Sequence, residues 1–121
     1  MLNTVEKVER QNAKITVVML GYEDHGIFTC MVGLQYDGGG QSFGGYGLDE
    51  WNENEKQRVG TAYGLDWIIQ LLKVLEVHNI KELEGQPVRV EADHSKVYRI
   101  GHFLKEQWFD PEVLRKKHFG S

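Results

Sequence analysis

The sequence predicts an α+β domain: an antiparallel sheet from two hairpins, packed on one long buried helix, plus a short C-terminal helix. Three observations carry this. Residues 13–36 alternate apolar and polar positions at period two around a glycine-flanked turn. Residues 61–77 are apolar at helical spacing, with Asp66, Gln70 and Lys73 as a narrow polar stripe. Residues 88–100 alternate again, around Asp93-His94-Ser95.

Taken in order, residues 1–12 are polar and charged and read as a mobile arm or a short helical turn. Ala13 to Leu20 reads as a strand, with Ile15, Val17 and Met19 on one face and Lys14 and Thr16 on the other. Ile27 to Tyr36 reads as its hairpin partner, presenting Phe28, Cys30, Val32, Leu34 and Tyr36. Six of the fourteen glycines follow between Gly38 and Gly47, interleaved with Phe43 and Tyr46. Such a run is either a cradle for a flat polar ligand or a bulged bend whose aromatics are core. Ser42 to Leu48 can pair back as a third strand. Asp49 to Gln57 is a polar lead-in to the helix.

The helix from Thr61 to Val77 is too apolar for a surface helix, so it is expected to be buried on more than one side. The second cover is either an oligomer partner or the C-terminal segment. Gly60 and Gly64 at its start imply close backbone packing or a ligand near the helix N-terminus, with Arg58 just before it. Gly85-Gln86-Pro87 breaks the chain ahead of the second hairpin. Phe103, Leu104, Trp108, Phe109, Val113 and Leu114 read as apolar anchors, and Asp110-Pro111 as the cap and first turn of a short helix.

A length of 121 residues implies one domain, 1–121. The N-terminal residues lack the apolar core of a secretory signal, and no apolar run is long enough to span a membrane. The single cysteine, Cys30, lies in a strand-like apolar run and reads as core in a reducing cytoplasm. The net charge of −4 gives no steering toward long nucleic acid. An anionic ligand would need a local basic pocket.

The second hairpin offers one. Pairing Ala92 with Lys96 places Arg89 opposite Arg99, and like charges facing each other on a sheet are unfavourable. Two guanidinium forks there call for an anion such as phosphate, or else for Glu91 on the same face. The five histidines match no metal spacing, and no metal or cofactor is expected. Gly40-Gln-Ser-Phe-Gly44 matches the letters of a nucleophile elbow but lacks its strand–turn–helix context.

Several motifs in order, Gly-Tyr-Glu-Asp-His-Gly-Ile-Phe-Thr-Cys, Phe-Gly-Gly-Tyr-Gly-Leu-Asp, Arg-Val-Gly-Thr-Ala-Tyr-Gly-Leu, Val-Arg-Val and Arg-Ile-Gly-His-Phe-Leu-Lys-Glu-Gln-Trp-Phe-Asp, span residues 13–111. Together they resemble the phage and prophage anti-Thoeris sponges, the first family in that series. The resemblance implies a phage-encoded anti-defence protein, cytoplasmic in the infected bacterium. It would sequester cyclic ADP-ribose isomers without degrading them, as a homodimer or larger homo-oligomer. Some members of that family also hold cyclic oligonucleotides at a separate site. The resemblance further implies Phe43 and Tyr46 as aromatic walls, Gly44 and Gly45 as points of backbone approach, and Arg99 as a phosphate ligand. Arg58, Arg89 and His94 join them from the spacing arguments. Two other readings compete: an enzyme cleaving a cyclic nucleotide with His94 or His102 as base, and a protein-binding inhibitor of a host defence protein.

Overall fold

The computed structural model describes residues 7–120. It is α+β. Six antiparallel strands lie in the order β3-β2-β1-β6-β7-β8: β1 (Glu9–Tyr22), β2 (Phe28–Tyr36), β3 (Gly39–Gly44), β6 (Pro87–Ala92), β7 (Val97–His102) and β8 (Trp108–Phe109). A separate small hairpin pairs β4 (Asp49–Asn52) with β5 (Gln57–Gly60) and leads into helix α1 (Ala62–Leu75). Helix α2 (Pro111–Phe119) follows β8. No helix among the described residues is long and apolar enough to cross a membrane.

The sheet curls until its first edge approaches its last strands. The Gln41 side chain on β3 donates to the Asp93 carbonyl beyond β6 at 2.9 Å. The Phe43 ring lies 5.9 Å from that of Phe109 on β8. Helix α1 drops Trp67 into the curl, where its indole stacks on Phe43 at 5.6 Å and meets Phe109 edge-on at 5.1 Å. Ile15, Cys30, Val32, Val88, Val90 and Ile100 close the core around it. Burial pushes the Cys30 thiol up to about 11, so it sits there as a small neutral apolar group.

Helix α1 starts where Thr61 caps it: the hydroxyl accepts from Gly64 N at 2.8 Å and donates to the Leu48 carbonyl at 2.9 Å. Gly64 is needed for close approach, because a Cβ there would overlap the Leu48 carbonyl oxygen. The helix ends at Glu76 in the left-handed region, φ 58°. Asp110 caps α2 with Pro111 in its first turn, as expected from sequence.

Several expectations are corrected. β1 begins at Glu9, so residues 9–12 are sheet rather than arm; residues 1–6 lie outside the described residues. A bulge between Ile15 and Val18 shifts the alternation, which leaves Val17 57% exposed although Ile15 is fully buried. β3 runs over Gly39–Gly44 instead of 42–48. The polar lead-in is the β4–β5 hairpin. Within the chain α1 buries one face, through Tyr63, Gly64, Trp67, Leu71 and Leu75. α2 covers only a flank, where His118 meets Asp66 at 2.9 Å and Phe119 packs on Tyr63. Leu65 and Ile69 stay exposed. Of the expected C-terminal anchors, Phe109 and Leu114 are buried, whereas Phe103, Leu104 and Val113 face solvent.

Candidate functional site

The second hairpin does not adopt the expected register. Asp93 Oδ1 accepts from Ser95 N at 2.9 Å and from Lys96 N at 3.0 Å, closing a tight Asx turn. Ala92 therefore pairs with Val97, and a slip beyond it pairs Glu91 with Arg99, Val90 with Ile100 and Arg89 with Gly101. Arg89 and Arg99 are not opposite each other. The physical reason is the one that made the expected register unfavourable: the observed one sets a carboxylate, not a second guanidinium, against Arg99.

The two arginines still meet, around Trp108 on β8. Trp108 lies flat over Gly101, its register partner; a Cβ at Gly101 would sit 2.7 Å from the indole. Three guanidinium carbons approach this ring: Arg10 at 4.7 Å, Arg99 at 4.9 Å and Arg89 at 5.1 Å. Arg99 grips Glu91 through Nε at 2.6 Å and Nη2 at 3.1 Å, and Arg10 Nε reaches the same carboxylate at 2.9 Å. Arg99 and then Arg10 hold the Glu91 carboxyl down at about 2, against the desolvation that opposes them. Arg89 is anchored to backbone, donating to the carbonyls of His102 at 3.0 Å and Lys105 at 2.8 Å. Glu106 closes the group against Arg10, Arg89 and Trp108 Nε1, and the Trp108 hydrogen bond leads in lowering its pKa. Three guanidiniums thus contact two carboxylates, one positive charge in excess. Among the described residues, Nη1 of none of the three arginines makes a hydrogen bond.

Beside this cluster a cleft of about 310 Å³ opens between β7–β8, α1 and α2. Arg99, Lys117 and Gln70 lie on its polar side, with Lys117 Nζ and the Gln70 amide turned to Asp66 at 3.4 and 3.2 Å; Trp108, Val113 and Leu114 form its apolar wall, and Asp110 adds one carboxylate.

The other predicted residues lie elsewhere. Phe43 is not a pocket wall: it is core, stacked on Trp67. Gly44, at φ 116°, lets backbone approach the Cys30 carbonyl of β2 rather than a ligand, and Gly45 N donates to that same oxygen at 2.8 Å. Tyr46 rests half-buried on Trp67, at 6.0 Å between rings, and burial raises its phenol. Arg58 holds Asp49 through Nε and Nη2, both at 2.9 Å, on the wall of an apolar groove of about 430 Å³. Leu20, Tyr22, Phe28, Leu65 and Ile68 line that groove. His94 stands in the β6–β7 turn, beside a groove with Tyr36, Gly39, Gly40 and Gln41.

His102 Nδ1 accepts from the backbone N–H groups of Leu104 and Lys105, both at 3.1 Å, which fits a turn cap better than a base. Ser42 lies on β3 opposite Gly33, in an antiparallel ladder and away from any strand-to-helix turn.

Sequence reasoning missed Arg10 and the role of Trp108. Arg10 fell in the presumed arm, and a two-residue strand such as β8 has no periodicity to read. The available signal was charge: Arg10 aligns with Glu91 once β1 is extended back to Glu9. Comparison with protein-family models, with curated proteins and with solved structures returns no match.

Proposed function

We propose that this chain is a binding protein that sequesters small anionic nucleotide signals of the cyclic ADP-ribose class, and that it does so in the cleft beside Trp108. The observation that carries the reading is the Arg99 guanidinium against the indole, on the wall of a cleft that also offers Lys117 and Gln70. A cyclic ADP-ribose, with two phosphates and one flat adenine, needs those features: cations for phosphate oxygens and an aromatic surface, already in place. Glu91 fixes Arg99 through Nε and Nη2, which lowers the ordering cost of binding. The resemblance of the ordered motifs to those of the anti-Thoeris sponges is what suggests the ligand class. Sequestration requires affinity and stoichiometric amounts of protein, and no bond of the ligand changes.

Self-association belongs to the same proposal. Leu65 and Ile69 on the outer side of α1, with Ile68 and Leu72 beside them, form an apolar stripe next to the groove that Leu20 and Tyr22 line. A second copy would cover this stripe, as a homodimer or larger homo-oligomer.

The test is calorimetric titration with cyclic ADP-ribose isomers, followed by heat denaturation and mass analysis of the released ligand. Saturable binding with intact ligand recovered is expected. A changed product would make the protein an enzyme, and absence of binding to any isomer would remove the ligand class.

A further inference from the structure

Three groups converge on the Glu106 carboxylate: Arg89 Nη2 donates to one oxygen at 3.1 Å, Trp108 Nε1 donates to the other at 3.0 Å, and Arg10 Nη2 forms an ion pair with that second oxygen at 3.0 Å. None of the three depends on Glu106 for its position. Arg89 is tied to the His102 and Lys105 carbonyls and its side chain is only 20% exposed. Arg10 is held by Glu91 at 2.9 Å. Trp108 is laid against Gly101. The loop that carries Glu106 is also fixed without it. His102 Nδ1 takes the N–H groups of Leu104 and Lys105, Lys105 Nζ reaches Glu76 at 2.8 Å, and Gln107 donates to the Val74 carbonyl at 3.1 Å. The Glu106 side chain, by contrast, is 63% exposed. It can rotate into water while the donors and the loop backbone stay where they are.

We propose that Arg10, Arg89 and Trp108 Nε1 form a binding site for a phosphate group, and that Glu106 is an internal stand-in for that anion which the ligand displaces. Charge selects the class. With Glu106 turned away, the cluster holds three guanidiniums against one carboxylate, Glu91, a surplus of two positive charges. A terminal phosphate, as free phosphate or a phosphomonoester, matches that as a dianion, and its oxygens suit guanidinium donors and an indole N–H together. A monocarboxylate would only replace like with like. Glu106 then acts as a threshold: weak anions do not dislodge it, and a dianion does. This site goes beyond the sequestration reading, since it needs neither a cyclic ligand nor the adjacent cleft.

The test uses the full chain. Its three tryptophans give three indole N–H signals in a nitrogen–proton correlation spectrum, and Trp108→Phe identifies the one from Trp108. Inorganic phosphate is titrated at constant ionic strength into the parent and into Glu106→Gln, with chloride as the control anion. A saturable shift of the Trp108 signal is expected. Its midpoint should be roughly twofold to fivefold lower in Glu106→Gln, the range set by what an exposed ion pair contributes. No saturable shift, equal midpoints in the two proteins, or the same shift with chloride would overturn the proposal. Failure here alongside calorimetric binding of cyclic ADP-ribose would remove this site and leave sequestration standing; the opposite pattern would do the reverse.

Discussion

Arg58 before α1 and Arg99 on β7 hold their carboxylates in nearly the same way. Each uses Nε and Nη2 as a fork, Arg58 on Asp49 at 2.9 and 2.9 Å and Arg99 on Glu91 at 2.6 and 3.1 Å. Their surroundings differ. Arg58 is matched one to one by Asp49, adds a bond to the Asp49 carbonyl at 3.1 Å, and faces an apolar groove. Arg99 shares Glu91 with Arg10 and belongs to a group with positive charge in excess, gathered on an aromatic ring. An arginine beside a cavity therefore says little about anion binding. Charge balance within contact distance and the presence of a π-face separate the two regions; under our proposal the anion goes to Trp108 and a second copy of the chain to the groove.

Two glycine substitutions would break one region while sparing the other. Gly64→Ala drives a Cβ into the Leu48 carbonyl, where only backbone can give way. We expect it to lower unfolding free energy in urea by about 3 kcal/mol, with ligand affinity of the folded protein unchanged. Gly101→Ala sets a Cβ 2.7 Å from the indole and 2.9 Å from the Gln107 carbonyl. It should cost about 1–2 kcal/mol, and by tilting Trp108 it should also weaken ligand binding in calorimetry. Equal effects of the two on affinity would mean that the Trp108 ring is no closer to the ligand than the start of α1.

Acid sharpens the comparison. The Glu91 carboxyl is held at about 2 in the folded chain, below its ordinary 4.5. A depressed folded value means that its stabilisation is complete above about pH 4.5 and fades as pH falls toward 2. Urea midpoints measured across that window should fall less steeply for Glu91→Gln than for the parent. Parallel curves would mean that the arginine cluster contributes little to folding. The smallest effect on folding is expected from Leu65→Glu on the exposed stripe of α1, within about 0.5 kcal/mol for the monomer. The same variant should abolish self-association in sedimentation analysis; an unchanged assembly would place the interface elsewhere.

The sequence made some elements plain and concealed others for physical reasons. Asp110-Pro111 announces a helix start through capping chemistry that works locally and was legible; Thr61 was read only as the start of the helical pattern, and its capping role emerges from the structure. The bulge at residues 16–17 was not, because Thr16 and Val17 are ordinary strand residues whose displacement depends on pairing with β2. The slip in the second hairpin was half legible. The repulsion between Arg89 and Arg99 was a reason to reject that register as much as a reason to seek an anion. Phe43 shows the reverse error: glycine neighbours and an aromatic ring suit a ligand cradle in sequence, yet the curl of the sheet turns that ring onto Trp67. The tertiary gathering of Arg10, Arg89 and Arg99 on Trp108 draws on four strands, and no local pattern carries it.

The most direct measurement is calorimetric titration of cyclic ADP-ribose isomers into the parent, Arg99→Ala and Arg58→Ala. With the ligand in the Trp108 cleft, Arg99→Ala should weaken binding at least roughly tenfold, as expected for loss of a charge-assisted contact, while Arg58→Ala binds like the parent. Full affinity in Arg99→Ala with loss in Arg58→Ala would contradict the account and move the site to the groove at the start of α1.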